Sequence, residues 1–187
     1  QGRYPHQGVL GLPGREDVEI VRRAMKWTHC DAFAHRYLDE LSGGESQRVL
    51  LASVLAQGSD FMLLDEPTSA LDLHHQIDVF ELIYQMARQG IGVIVITHDL
   101  NLAAQYCDRL VLLHEGQMRA CGTPAEVISE DILRQVYQTD MIVDCNPVTG
   151  TPMVVLLGRR GLRQADRMSQ DGRVDDIGQD HSGEARP

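Results

Sequence analysis

The sequence predicts an α/β protein with a parallel sheet at its core. Residues 61–64 form a short apolar run, residues 73–87 carry apolar side chains at helical spacing, and residues 91–96 form a second, largely β-branched run. A strand, a helix and a strand in this order predict a right-handed parallel crossover. Continuous apolar runs are typical of strands buried on both faces of a sheet. We therefore expect both runs to be fully buried strands.

The residues before the first strand predict helices. Residues 1–14 are rich in Gly and Pro, which indicates a loop. Residues 15–29 have apolar side chains at helical spacing with charged side chains opposite them, which predicts an amphipathic helix. Residues 45–57 predict a second helix that ends near Gly58.

The residues after the second strand predict short elements of both kinds. Residues 101–107 are typical of a helix, and residues 109–113 predict a third strand that turns back over residues 117–121 as a hairpin. Residues 123–137 begin with a helix cap and continue with helical character. Residues 141–157 predict two short strands around a turn.

Length and composition limit the class of protein. The 187 residues, 43% of them hydrophobic, suffice for one compact core. A formal net charge of -10 argues against nucleic acid as a main partner. Residues 158–187 are polar without periodicity, which predicts a disordered tail. No apolar run approaches the roughly 18 residues that cross a bilayer, so we expect a cytoplasmic protein.

Two carboxylates and a histidine follow the predicted strands. Asp65 and Glu66 come directly after the first strand, and His98 comes after the second. The carboxyl ends of parallel strands are where open α/β sheets bind ligands. Consecutive strand residues point to opposite sides, so one carboxylate can reach a metal and the other a water. The alternative is a surface acid and a structural histidine.

A glycine pair precedes the second predicted helix. Ser42 followed by Glu45 is typical of a capping box, which begins a helix. Gly43 and Gly44 allow backbone N–H groups to approach an anion closely, and the helix N-terminus adds positive potential. This pattern predicts a phosphate site without a lysine.

Four motifs together resemble those of the ATP-binding cassette family, the motor subunits of ABC transporters. They stand in the family's order and at short spacing. They are Leu41-Ser42-Gly43-Gly44-Glu45 with Gln47, similar to the signature motif; residues 61–66, similar to the Walker B strand; Ser69-Ala70-Leu71-Asp72, similar to the D-loop; and His98, similar to the switch histidine. The resemblance implies a P-loop NTPase-like nucleotide-binding domain with ATP and Mg²⁺ as cofactors.

The resemblance also implies roles for single residues. Asp65 would bind Mg²⁺, Glu66 would act as general base toward water, and His98 would sense the γ-phosphate. Ser42 and Asp72 could equally be plain helix caps. The residues expected to contact ATP are Ser42, Gly43, Gly44, Glu45, Gln47 and Asp72. His74 and His75 are interpreted as solvated, because adjacent helix residues do not share a face.

One feature departs from the family pattern. The only lysine is Lys26, so the Gly-x-x-x-x-Gly-Lys-[Ser/Thr] loop is absent from this sequence. We expect a partial cassette that lacks the Walker A strand and loop, is N-terminally truncated and is inactive alone. By resemblance, residues 1–157 are a partial ABC ATP-binding domain. Residues 1–57 would be the helical subdomain with the signature, and residues 58–157 part of the catalytic core.

The resemblance implies that the complete protein hydrolyses ATP to drive transmembrane transport. Residues 2–6, 99–103 and 141–157 are similar to ATPases of iron-siderophore, haem and cobalamin importers. The implied partners are a second ATPase subunit packed head to tail, transmembrane permease subunits and, indirectly, a substrate-binding protein. The implied location is the cytoplasmic face of the membrane. The alternatives are a soluble, non-transport ABC ATPase and a non-catalytic cassette fragment.

Overall fold

A computed structural model describes residues 2–6, 13–69 and 71–157, so the predicted tail, residues 158–187, lies outside the described residues. The chain divides into two compact units, the first ending at Asp108 and the second beginning at Arg109. The helices are α1 (Arg15–Trp27), α2 (Gly43–Leu55), α3 (Leu73–Arg88), α4 (Leu100–Tyr106), α5 (Pro124–Val127) and α6 (Glu130–Tyr137). The strands are β1 (Phe61–Asp65), β2 (Gly92–Ile96), β3 (Leu110–His114), β4 (Gln117–Gly122), β5 (Met141–Cys145) and β6 (Pro152–Leu156).

The first unit is built on the parallel pair of β1 and β2, which α3 connects. The register places Phe61 beside Gly92 and Asp65 beside Ile96. One face of this pair packs against α2 and α3. The buried side chains of this core are Leu51, Met62, Leu64, Val79, Leu82, Ile83 and Met86. The predicted strand, helix and strand, and with them the α/β class, are confirmed.

The prediction that these strands are buried on both faces is wrong. Phe61 is 74% exposed and Leu63 is 68% exposed, whereas Met62 and Leu64 are buried. On β2, Ile94 is 62% exposed. Successive strand side chains point to opposite faces, and within the described residues only the face that carries Met62 and Leu64 packs against helices. A continuous apolar run therefore did not indicate two covered faces.

The helices α1 and α2 pack on each other through small side chains. Their shared core consists of Ala24, Cys30, Ala52 and Ala56. The helix α2 begins at Gly43, two residues before the predicted start, and the chain beyond it turns at Gly58, where φ is +71°. Between the helices, residues 31–33 and 38–40 form two short 3₁₀ turns.

The described part of the second unit, residues 109–157, contains two antiparallel hairpins and two short helices. In the first hairpin Leu110 pairs with Gly122, and in the second Met141 pairs with Leu156. Both hairpins were predicted, and both are confirmed. At the start of α5 the backbone N–H of Thr123 donates a hydrogen bond of 2.7 Å to Glu126. None of the helices in the described ranges combines the length and the apolar character needed to span a bilayer.

Candidate functional site

The strands β1 and β2 bring three predicted site residues to one edge of the sheet. Asp65 is the last residue of β1 and is exposed. Glu66 follows it, and its Oε1 lies 3.5 Å from Nδ1 of His98, which stands two residues beyond β2. The side chains of Glu66 and His98 are 49% and 75% exposed. A carboxylate beside an imidazole, both open to solvent, can accept a proton from a water or hold a phosphate oxygen.

The backbone fixes Glu66 in an unusual conformation. Its φ is +43°, a left-handed value that side chains other than glycine rarely adopt. Its N–H donates a hydrogen bond of 2.9 Å to the carbonyl of Ile96, and its carbonyl accepts one of 3.2 Å from Ser69 N–H. The turn therefore directs the Glu66 carboxylate to the end of β2, where His98 lies. The sequence alone gave no indication of this backbone conformation.

The start of α2 is the predicted capping box. The backbone N–H of Ser42 donates to Oε2 of Glu45 over 2.8 Å, and Glu45 N–H donates to the Ser42 hydroxyl over 3.3 Å. These hydrogen bonds with Ser42 lower the pKa of Glu45 below its ordinary value. Gly43 is exposed, Gly44 is buried, and Gln47 is half-buried one turn further along α2. The start of α2 is exposed at Ser42 and Gly43, and a helix N-terminus has the positive potential that favours an anion.

Asp72 caps α3, which is the simpler of the two roles that the sequence predicted for it. Its Oδ1 accepts a hydrogen bond of 3.0 Å from His75 N–H. The hydrogen bonds from the His75 backbone and side chain lower the pKa of Asp72. The side-chain amide of Gln76, in α3, donates hydrogen bonds to two carbonyls of the loop before Asp72. The distances are 3.3 Å to Thr68 and 3.2 Å to Leu71. Ala70, within the predicted D-loop, lies outside the described residues.

The predicted site residues thus form two groups. Asp65, Glu66 and His98 meet at the carboxyl ends of β1 and β2, and the residues of the signature lie at the start of α2. Among the described residues, no hydrogen bond or ion pair joins the first group to the second. Asp72 approaches α2 through His75, which sequence reasoning left on a solvated surface. The side chain of His75 is 35% exposed and is therefore only partly solvated, whereas that of His74 is 80% exposed.

Gln76 was also missed by the sequence analysis. The signal that could have found His75 is its place three positions after Asp72, the cap of α3, whereas Gln76 stands four positions after the cap and reaches the carbonyls of Thr68 and Leu71 instead. A residue three positions after a cap lies over it, and its side chain can reach back to it.

Asp65 can supply one of the oxygen ligands of a magnesium ion. Mg²⁺ is held in many proteins by one or two carboxylates, with substrate phosphates and waters completing six oxygen ligands. Asp65 presents one exposed carboxylate at the sheet edge. No cluster of three or more His, Cys, Asp or Glu side chains that could bind a metal occurs within the ranges that the structure covers. The donor set fits a metal that arrives with a phosphate ligand.

Comparison with known proteins agrees with the motifs. Residues 5–69 match the family described as ABC transporter. The chain is 42% identical over 160 residues to the ferric enterobactin transport ATP-binding protein FepC of Escherichia coli strain K12, a match that covers 85% of this chain and 59% of FepC. It is 46% identical over 160 residues to the hemin import ATP-binding protein HmuV of Pseudomonas aeruginosa, a match that covers 82% of this chain and 61% of HmuV.

The fold agrees with these relatives. It is similar to a solved ABC transporter of metal-chelate type in an inward-facing conformation, with a TM-score of 0.78 and 26% identity, over 85% of this chain and 64% of that chain. The chain spans about three fifths of the length of the two curated relatives. Motif order, sequence similarity and fold agree: residues 5–69 match the ABC transporter family, and the chain is similar over 85% of its length to ATP-binding proteins of ABC transporters.

Proposed function

We propose that the complete protein is the ATP-binding subunit of an importer for iron chelates, either iron-siderophore complexes or haem. The observation that carries the proposal is the pairing of Glu66 with His98 at the ends of two parallel strands, beside Asp65. The similarity to FepC, a ferric enterobactin transport protein, and to HmuV, a hemin import protein, supports the class of substrate. In this reading ATP hydrolysis is coupled to transport.

Each residue of the sheet edge has a distinct task in the proposed reaction. Glu66 accepts the proton of the attacking water, and His98 orients that water and the γ-phosphate through its exposed ring. Asp65 would hold Mg²⁺, which neutralises phosphate charge when it is bound. The left-handed turn at Glu66 fixes the point at which its side chain leaves the backbone, close to the end of β2.

The proposal extends to the assembly. The first turn of α2, with Ser42, Gly43 and Gly44, would close over ATP that is held by a second copy of the subunit. Residues 1–57 would form the helical subdomain that contacts permease subunits, and residues 58–157 would belong to the catalytic core. The protein would then lie at the cytoplasmic face of the membrane, and the permease and a substrate-binding protein would select the chelate.

The first test replaces the proposed base in the complete protein. Glu66→Gln keeps the shape of the side chain but cannot accept a proton, so we expect ATP turnover to fall at least about 100-fold while ATP binding persists. Glu115→Gln is the matched control, because Glu115 is also a glutamate with a positive φ, of 51°, in the other unit. It should leave turnover unchanged. Near-normal turnover of Glu66→Gln would exclude Glu66 as the base.

The second test addresses the substrate class. Cells that lack the complete protein should fail to accumulate one iron chelate, supplied either as a radiolabelled siderophore complex or as haem. The wild-type gene should restore that uptake, and the Glu66→Gln variant should not. Uptake of both chelates at the wild-type rate in the deletion strain would contradict the proposed transport function, even if the purified protein hydrolyses ATP.

A further inference from the structure

His75, in the first turn of α3, contacts the residue that caps its own helix. Its ring nitrogen Nδ1 donates a hydrogen bond of 2.7 Å to Oδ1 of Asp72, and its backbone N–H donates one of 3.0 Å to the same oxygen. A carboxylate accepts hydrogen bonds and does not donate them, so the proton of this contact lies on Nδ1. Asp72 therefore holds the imidazole ring in one orientation.

The rest of the ring lies against Gly44, in the first turn of α2. A Cβ atom built on Gly44 would lie 2.1 Å from Cδ2 and 2.9 Å from Nε2 of His75. No side-chain atom can occupy that position without displacing the ring. Gly44 is buried, although it lies in the first turn of its helix. The close approach of α2 to α3 at this point therefore requires glycine at position 44 and places the His75 ring where a side chain would otherwise stand.

The His75 ring also contributes to the lowered pKa of Glu45, the carboxylate of the capping box of α2. The pKa of Glu45 is lowered first by its hydrogen bonds with Ser42, and to a smaller extent by the charges of Arg36 and His75. The same histidine is thus close to the cap of α3 and to the cap of α2. The ring of the adjacent His74 meets the His75 ring edge-on, with 5.4 Å between the two centroids, and the His74 side chain is 80% exposed.

We propose that His75 is a positioning residue for the nucleotide site. It ties Asp72 to the first turn of α2 and so sets where the N–H groups of Gly43 and Gly44 stand relative to the loop before α3. The proposal rests on the function proposed above. N–H to phosphate hydrogen bonds weaken steeply with misalignment, so a small shift of this turn weakens ATP binding. The chemical step, which we assign to Glu66, does not involve His75.

The kinetic test uses the complete protein and two substitutions of His75. His75→Ala should raise the KM for ATP at least about threefold while kcat changes less than twofold. A merely destabilised protein would instead show a lower kcat at unchanged KM, because fewer molecules would be active. His75→Asn keeps an N–H donor for Asp72 but loses the ring, so its KM should fall between those of wild type and His75→Ala. His74→Ala leaves the contacts of His75 with Asp72 and Gly44 in place, so it is the control and should change each constant less than twofold.

A second measurement tests the contact without using ATP. Gly44→Ala should lower the thermal midpoint by at least about 4 °C, because its methyl group meets the His75 ring. In the His75→Ala background the ring is gone, and the same substitution should lower the midpoint by less than about a third of that shift. Equal shifts in both backgrounds would show that the ring and the glycine do not interact, which overturns the proposal.

The two measurements separate the possible failures. Coupling in the unfolding cycle with an unchanged KM for His75→Ala would leave His75 a structural residue and overturn its positioning role. If the wild-type complete protein hydrolysed no ATP, the function proposed above would fail by itself, and the positioning role would fall with it. The unfolding cycle would still report whether His75 and Gly44 are in contact.

Discussion

At the scale of single residues, Glu66 holds a backbone conformation that costs free energy. A left-handed conformation costs an L-residue roughly 1–2 kcal/mol, because Cβ approaches the following carbonyl oxygen. The hydrogen bonds between Glu66 N–H and Ile96, and between Ser69 N–H and the Glu66 carbonyl, maintain it. Strained residues persist where the surrounding structure determines them, and they are concentrated at functional sites. The strain at Glu66 agrees with the role proposed for its side chain.

This strain can be measured with a pair of variants in the complete protein. Glu66→Gly and Glu66→Ala both remove the carboxylate and its contact with His98, but only glycine adopts a φ of +43° without strain. We expect Glu66→Gly to be more stable than Glu66→Ala by about 1 kcal/mol in chemical denaturation. An alanine variant as stable as the glycine variant would mean that Glu66 does not hold this φ in solution.

At the scale of elements, the start of α2 depends on an ionised carboxylate. The hydrogen bonds with Ser42 hold the pKa of Glu45 below its ordinary value of 4.5. A lowered pKa in the folded state means that folding favours the charged form. The stabilisation is therefore present above the pKa of the unfolded chain, and it is lost as pH falls through the lower, folded value.

Glu45→Gln should accordingly make the protein less sensitive to acid. We expect the variant to be less stable than the parent near pH 7, and to lose less stability than the parent between about pH 6 and about pH 3. Thermal unfolding over this range measures the difference. Glu19→Gln, at an exposed position of α1, is the control for loss of one helix carboxylate. Parallel stability profiles for Glu45→Gln and the parent would contradict the link between the capping box and acid stability.

The strand β1 offers a second test at this scale, because its neighbouring leucines have opposite environments. Leu64 is 8% exposed and belongs to the core, whereas Leu63 is 68% exposed. In the 187-residue chain we expect Leu64→Ala to cost about 2–4 kcal/mol in urea unfolding. Leu63→Ala should cost less than about 0.5 kcal/mol. Similar costs for the two substitutions would mean that both faces of β1 are covered in solution.

At the scale of the whole molecule, the 187-residue chain carries the residues that we propose for one half of a nucleotide site. The only lysine is Lys26, in α1, and no Gly-x-x-x-x-Gly-Lys-[Ser/Thr] loop occurs in the sequence. In P-loop NTPases that loop and its lysine hold the β- and γ-phosphates. A pair of these chains would present two signature turns. Neither turn would face a loop that holds the phosphates of ATP.

We therefore expect the 187-residue chain alone neither to bind Mg-ATP tightly nor to hydrolyse it. Isothermal titration calorimetry and a phosphate-release assay on the purified chain measure both properties. The Glu66→Gln variant of the same chain is the control for contaminating ATPases. Micromolar binding with turnover that Glu66→Gln removes would contradict the expectation and require a nucleotide site elsewhere in the chain.

The sequence by itself determined the elements and the order of the motifs. The crossover from β1 through α3 to β2, the caps at Ser42 and Asp72 and the later hairpins follow from local periodicity and from residues that satisfy helix ends. These are short-range properties, because a cap acts within one turn and the alternation of a strand within a few residues. The motifs of the site could be found for the same reason.

Only the tertiary structure decided which faces are covered and which distant residues meet. The exposure of Leu63 depends on where α2 and α3 pack. The apolar run that contains Leu63 does not indicate which face of the strand these helices cover. The contact of His75 with Gly44 joins residues from two helices at a distance that a side chain on Gly44 would forbid. The left-handed turn at Glu66 is held by hydrogen bonds that include one to β2. Such contacts between separate elements depend on packing in three dimensions, which local sequence patterns do not encode.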